Sequence, residues 1–189
     1  MRRLSNGARF LLATLCGLAL AGLVHLVVVL GVPWFAERDA FSRLRGTVEL
    51  DRAELIPLAD GGDWPPRPDP AVALAACAYD LGEGPVRISA RTGPFFQSLS
   101  FHAKGSGVFY AVTDRAAVRG SLDLVVMTRA QLDEALAGEN EDDPSRDVRI
   151  VAPARTGLVV VRVLAARPTQ RAEAEAVARA VICVIEQGA

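Results

Sequence analysis

The chain has 189 residues, with 21 lysines and arginines against 22 aspartates and glutamates and a formal charge of −1. That balance gives no electrostatic case for nucleic acid, and three cysteines are too few for a disulfide-dense scaffold. Lys104 is the sole lysine; the arginine and alanine bias fits a GC-rich bacterial genome rather than a phosphate-binding signature.

The amino-terminal residues 1–9 carry Arg2, Arg3 and Arg9 and no acid, with Ser5 and Asn6 as good helix starters. Phe10 to Val32 is an uncharged apolar run long enough to cross a bilayer once as a helix, so residues 10–33 are assigned to a transmembrane segment. Trp34 and Phe35 suit the headgroup layer, and Pro33 stands at the exit. A cleavable signal peptide is the rival reading, since Ala19-Leu20-Ala21 offers a small-x-small site. Cutting there would leave an apolar run at the new amino terminus, and Cys16 lacks the lipobox context. An uncleaved signal anchor is therefore expected. Three arginines precede the span and Arg38, Arg43 and Arg45 follow it, so the positive-inside count is even. The short cationic end favours a cytoplasmic amino terminus, an inner-membrane location and an exported, periplasmic carboxy-terminal domain. His25 lies inside the span; a neutral histidine bonded to water or a neighbouring chain is the plainer alternative to a proton relay.

Residues 34–68 read as a juxtamembrane segment and linker, helical from Trp34 to Leu44. One strand is possible between Arg45 and Leu58, ahead of a Gly- and Pro-rich stretch from Ala59 to Asp69. The domain is expected over residues 69–189. Asp69-Pro70 resembles an N-cap with proline at the first helical position, so Ala71–Ala78 is read as a short helix, with a buried strand as the alternative. Val86–Ala90 alternates cleanly. In Phe95–His102, Gln97, Leu99 and Phe101 share one face, and Ser98, Ser100 and His102 the other. Val108–Val112 returns as the hairpin partner, and Ser121–Met127 forms another strand. Thr128 and Gln131 have capping-box spacing before a helix running to about Leu136. Glu139–Asp143 is an acidic loop without the ligand alternation or central glycine of a calcium loop. Val148–Ala152 and Leu158–Leu164 are the last strands, and Leu158–Val161 is apolar on both faces, so its strand should be central. A final helix opens at Pro168-Thr169, pairs Glu175 with Arg179, and runs through the apolar Ala180–Ile185. The expected class is α+β: one membrane helix, then an antiparallel sheet of about five to seven strands packed by the carboxy-terminal helix.

Cys77 and Cys183 can form one disulfide in an exported domain, closing roughly 100 residues and adding up to about 4.7 kcal/mol on the chain-entropy account. Two buried free thiols are the alternative. No Cys or His stands at metal-ligand spacing, and no phosphate-binding loop, nucleophile elbow or cofactor motif is present, so no metal or cofactor is expected. His102 is the domain's sole histidine, and with Arg87, Ser98 and Ser100 it forms the one candidate binding groove. The plain alternative is the wet face of a half-buried antiparallel sheet.

Cys77–Leu81, Gly84–Ile88, Phe95–Phe101, Val108–Tyr110 and Asp114-Arg115, preceded by Val32–Ala40, resemble a bacterial domain-of-unknown-function family, the twelve-fifty-four group, related to the twelve-fourteen group. Gln97 stands where that pattern has a tryptophan, and His102-Ala103 where it has a Tyr-Asp-like pair. The resemblance implies an uncharacterised, membrane-anchored envelope protein. Because members of the two groups occur together, it also implies an envelope protein partner, with a related protein as the candidate, and it supplies no catalytic residues. The expected function is thus a structural or interaction module without catalysis, in contact with the lipid bilayer and with no nucleic acid. A small-molecule or lipid-binding domain is the alternative, and a hydrolase or isomerase using His102 a third reading.

Overall fold

The structure, a computed structural model, describes residues 5–45, 48, 52–56, 69–104, 106–138 and 147–186. It divides into two compact units, Met1–Ala40 and Phe41–Ala189. From Asn6 on, the first unit is formed by α1, Asn6–Arg45, which begins where the Ser5 hydroxyl accepts from the Ala8 N–H at 3.3 Å. Over Asn6–Val32 this helix is long and apolar enough to cross a membrane. Trp34 and Phe35 lie on its backbone; their side chains, like the Ala59–Pro68 linker and the acidic loop Glu139–Asp143, fall outside the described residues.

The second unit has the expected α+β class, with its strands divided between two sheets. Nine strands are described: β1 Glu54–Leu55, β2 Val72–Asp80, β3 Val86–Arg91, β4 Gln97–Ala103, β5 Gly107–Thr113, β6 Ser121–Met127, β7 Val148–Val151, β8 Thr156–Leu164 and β9 Ile182–Ile185. One sheet has the order β1-β2-β8-β4-β5, the other β7-β6-β3-β9. All described ladders are antiparallel except β6–β7, which is parallel. Both sheets contribute to one core: Cys77, Val161, Leu99 and Phe101 from the first, Ile88, Leu124 and Cys183 from the second. α3, Arg171–Arg179, packs on β1, β2 and β8 through Ala174 and Ala178. α2, Arg129–Gly138, links β6 to the chain ahead of β7.

β8 takes the central place its valine run demands, between β2 and β4, and Leu158, Val159, Val160 and Val161 are all buried. The capping box is formed: Gln131 N–H donates to Thr128 Oγ1 at 3.2 Å and Thr128 N–H to Gln131 Oε1 at 2.8 Å.

Two elements correct the helical reading. Val72–Asp80 is a nine-residue strand. Asp69 does satisfy local donors, accepting from the Ala71 N–H at 2.9 Å, but in a turn that feeds a strand. The alanines of β2 are small because Ala73 and Ala75 face the core on which α3 packs. Likewise, α3 ends at Arg179, and Ile182–Ile185 is strand β9 on the edge of β3. Glu175 pairs with Arg171 at 2.6 Å, one turn before it, rather than with Arg179. The domain also begins upstream of residue 69: Ala53 is fully buried and β1 pairs with β2. β1, Glu54–Leu55, is the described strand within the Arg45 to Leu58 stretch, half of which lies outside the described residues.

Candidate functional site

Ser98, Ser100 and His102 alternate along β4 on the face opposite Gln97, Leu99 and Phe101. Neighbouring β8 brings Arg162 level with Ser98, and the guanidinium leans one position along to donate from Nη1 to Ser100 Oγ at 2.8 Å. Ser100 Oγ lies 3.0 Å from His102 Nε2 and 3.5 Å from the Val160 carbonyl. The hydroxyl has one proton and donates to the Val160 carbonyl, while its role toward Nε2 follows the tautomer of the ring. Burial, and secondarily the charge of Arg162, hold the His102 pKa below its ordinary 6.5. The result is a neutral imidazole beside a guanidinium that, among the described residues, meets only neutral groups.

A serine hydroxyl within reach of a neutral imidazole is the first half of a nucleophile–base pair. The second half is missing among the described residues, where no carboxylate orients the other ring nitrogen of His102, and Arg162 engages the same Oγ. The described cluster thus places one guanidinium, one hydroxyl and one imidazole on the same face of the sheet.

The fourth residue of the expected groove is elsewhere. Arg87 lies on β3, in the other sheet, so the groove of Arg87, Ser98, Ser100 and His102 is not assembled. Its guanidinium donates to Asp147 at 2.6 Å and to Glu186. The bond from Arg87 holds the Asp147 carboxyl below its usual range, and the same bond raises Arg87 further. Two carboxylates around one guanidinium clasp the start of β7 and the end of β9 to β3. This is a structural device rather than a binding site.

Cys77 on β2 is bonded to Cys183 on β9, with their Cα atoms 6.6 Å apart, and so joins the two sheets through the core. Cys16 is free, in α1. Among the described residues, no three His, Cys, Asp or Glu gather as metal ligands.

Behind the serine face, Tyr79 crosses the core and its hydroxyl donates to the His102 carbonyl at 3.3 Å. Burial pushes that hydroxyl above its ordinary value. Gly157, opposite Tyr79, makes room for this: a Cβ there would overlap both the Tyr79 ring and the His102 carbonyl oxygen. Gln97, on the core side of β4, is fully buried and neither side-chain atom has a partner.

A groove of about 380 Å³, not anticipated from sequence, opens where the chain crosses from one sheet to the other. β5 ends in a 3-10 turn, Asp114–Ala116, and a two-residue turn at Arg119-Gly120 (φ +54° and +83°) leads into β6. Both central residues of a type I′ turn need positive φ, which accounts for Arg119 without invoking function. Tyr110 and Val112 of β5, Val118 ahead of β6, Leu122 and Leu124 of β6, and Val148 of β7 form the apolar walls. β7 joins β6 only from Leu124 onward, so the first residues of β6 are left as an edge beside the groove. Asp123 stands on the rim, its two oxygens accepting from Ser89 at 2.8 Å and Ser121 at 2.7 Å. The pattern of β5 and β6 marked both strands, but no spacing rule reveals that the sheets part between them.

No family model matches the chain, and no curated protein matches it. Among solved structures, it is similar to the VPA0106 protein from Vibrio parahaemolyticus, at 12% identity and a TM-score of 0.49, over 62% of this chain and 28% of that one. It is also similar to an uncharacterised protein from Burkholderia cenocepacia, at 14% identity and a TM-score of 0.46, over 68% of this chain and 35% of the other. The chain thus spans about a third of the length of these proteins or less.

Proposed function

We propose that the protein is a single-pass membrane protein whose α1 anchors a disulfide-bonded α+β domain, and that the domain serves as a docking module for an envelope protein, without catalysis of its own. The observation that carries this reading is the 27-residue apolar stretch Asn6–Val32, whose side chains find no cover in the fold. A helix of this kind is stable in hydrocarbon and costly in water. The Cys77–Cys183 bond supports placement of the domain on the oxidising, periplasmic side, with the amino terminus in the cytoplasm. Membership of the twelve-fifty-four group, and a partner drawn from the related group, belong to the same proposal. Carbonate washing of membranes, followed by alkylation with an impermeant maleimide with and without reductant, tests it. The chain should stay in the membrane fraction, and Cys77 and Cys183 should react only after reduction. Release by carbonate, or free thiols on a cytoplasmic domain, would overturn the reading.

A second reading, a small-molecule or lipid-binding domain, is favoured by Arg162, whose charge among the described residues meets only Ser100 and His102. Anionic-lipid vesicles or inorganic phosphate should then perturb the His102 ring resonances in the wild type and leave Arg162→Met unchanged. The hydrolase or isomerase reading predicts a phenotype for His102→Ala with the fold intact, and its absence would remove that reading.

A further inference from the structure

Polar side chains that reach into this domain find partners as a rule. The Tyr79 hydroxyl donates to the His102 carbonyl, Ser100 to the Val160 carbonyl, and Gln131 Nε2 to the Leu81 carbonyl. Among the described residues, three buried side-chain atoms break the rule: Gln97 Nε2, Gln97 Oε1 and Asp114 Oδ1. They belong to one place in the fold. Gln97 opens β4, Asp114 follows β5, and the last described pair of that ladder is Ser98 with Thr113. Thr113 is still extended (φ −119°, ψ 166°), so the chain runs on one more step and brings Asp114 opposite Gln97. Leu99 and Val112 pair on the core side, and alternation from them turns both Gln97 and Asp114 inward. The other neighbour of Gln97 is Val163 of β8, fully buried. At this end the chain crosses between the sheets twice, in residues 92–96 and 114–120. Thr92 ties the crossings together, its N–H and hydroxyl both donating to the Gly120 carbonyl at 2.9 and 3.0 Å.

The donor set selects the ligand. A calcium or magnesium ion takes roughly six or more oxygens and has no use for an amide N–H, whereas these residues offer one amide oxygen and one buried carboxylate oxygen. An anion is repelled by the carboxylate. A primary amide holds an N–H and a C=O side by side, so a water facing it accepts from the first and donates to the second, with one proton to spare. Asp114 Oδ1 is an acceptor for that proton, and about three bonds is the usual complement of a buried water.

We infer that Gln97 and Asp114 bind one buried water where the two sheets are joined, the water accepting from Gln97 Nε2 and donating to Gln97 Oε1 and Asp114 Oδ1. The site is separate from the serine face of β4 and independent of the docking-module reading. Through this water the crossing of residues 114–120 is bonded to β4 at a side chain, in addition to the backbone ladder.

The test uses the full chain in lipid nanodiscs. In an NMR cross-relaxation experiment, the side-chain amide protons of Gln97 should show a peak to a long-lived water. Gln97→Met, close in volume, should raise the unfolding constant in urea about tenfold, because Asp114 Oδ1 then loses its donor. Asp114→Ala should have an effect of about the same size. The double variant should also lie about tenfold from the wild type, not about a hundredfold, because the two residues share one ligand. Absence of the water peak in the wild type would overturn the inference, and this result stands even if a variant does not fold. A Gln97→Met chain as stable as the wild type, or more stable, would also overturn it, since the amide would then have held nothing. Independent effects that multiply in the double variant would do the same, by giving the two residues separate partners.

Discussion

The two sheets of the domain are stabilised by different means. The five-stranded sheet is built around β8, a strand buried on both faces at residues 158–161 and paired along seven or more positions on either side. The four-stranded sheet has two short edge strands, and these are fastened by point contacts: the Arg87 clasp, the capping box that turns β6 into α2, and the Cys77–Cys183 bond to the neighbouring sheet. Distributed burial makes a sheet tolerant of single losses, whereas a sheet held by a few bonds depends on each of them.

Removing the staple is the sharpest way to expose this difference. Cys77→Ala with Cys183→Ala should cost about 4 kcal/mol of unfolding free energy in urea, as expected for closure of so long a loop. Exchange should rise in β3 and β9 before it rises in β8. Uniform loosening of both sheets would contradict the comparison. Gly157→Ala attacks the robust sheet at its one intolerant point and should cost about 3 kcal/mol by forcing Tyr79 off the His102 carbonyl. Tyr79→Phe in the same background should recover little, since the ring and the backbone oxygen still collide with the new methyl. Thr128→Ala removes one half of the capping box and should cost about 1 kcal/mol. Its effect should appear as faster exchange in α2 and β7, and an unchanged melting curve would argue against the cap.

The smallest effect is in titration. Because the folded His102 pKa lies below 6.5, the unfolded chain binds this proton first as pH falls. Stability is therefore unaffected by His102 above that value and declines as pH drops from 6.5 through the folded pKa. Asp147 acts in the same direction at lower pH, since its clasp is lost as pH falls through a carboxyl pKa already below 3.8. Arg162→Met should move the His102 titration upward in an NMR pH series, without restoring the ordinary value, because burial is the larger cause. No movement would show that the guanidinium does not reach the ring.

Much of this architecture was legible in period-2 patterning. Val86–Ala90, Phe95–His102, Val108–Val112 and Ser121–Met127 all became strands, and the apolar Val159-Val160-Val161 run sits at the centre of its sheet. Where patterning failed, it did so for identifiable reasons. An alanine-rich stretch behind Asp69-Pro70 resembles a helix start, and only the cross-strand partner on β8 decides otherwise. A four-residue apolar run such as Ile182–Ile185 has no period to read. The candidate site was half visible: Ser98, Ser100 and His102 share a face by alternation, but Arg162 joins them only through the β4–β8 register, and Arg87 is removed to another sheet by a topology that alternation does not encode. The groove between β5 and β6 depends on the same topology.

Cys183 sits on the last described strand, while its partner lies 106 residues earlier. During synthesis, Cys77 has no native mate until Cys183, 106 residues further on, has emerged. Any earlier oxidation would have to use a wrong mate. A chain truncated ahead of β9 would lose the outer neighbour of β3 and the cystine together, so a premature stop there should yield a product that cellular proteolysis clears rather than a shortened working form.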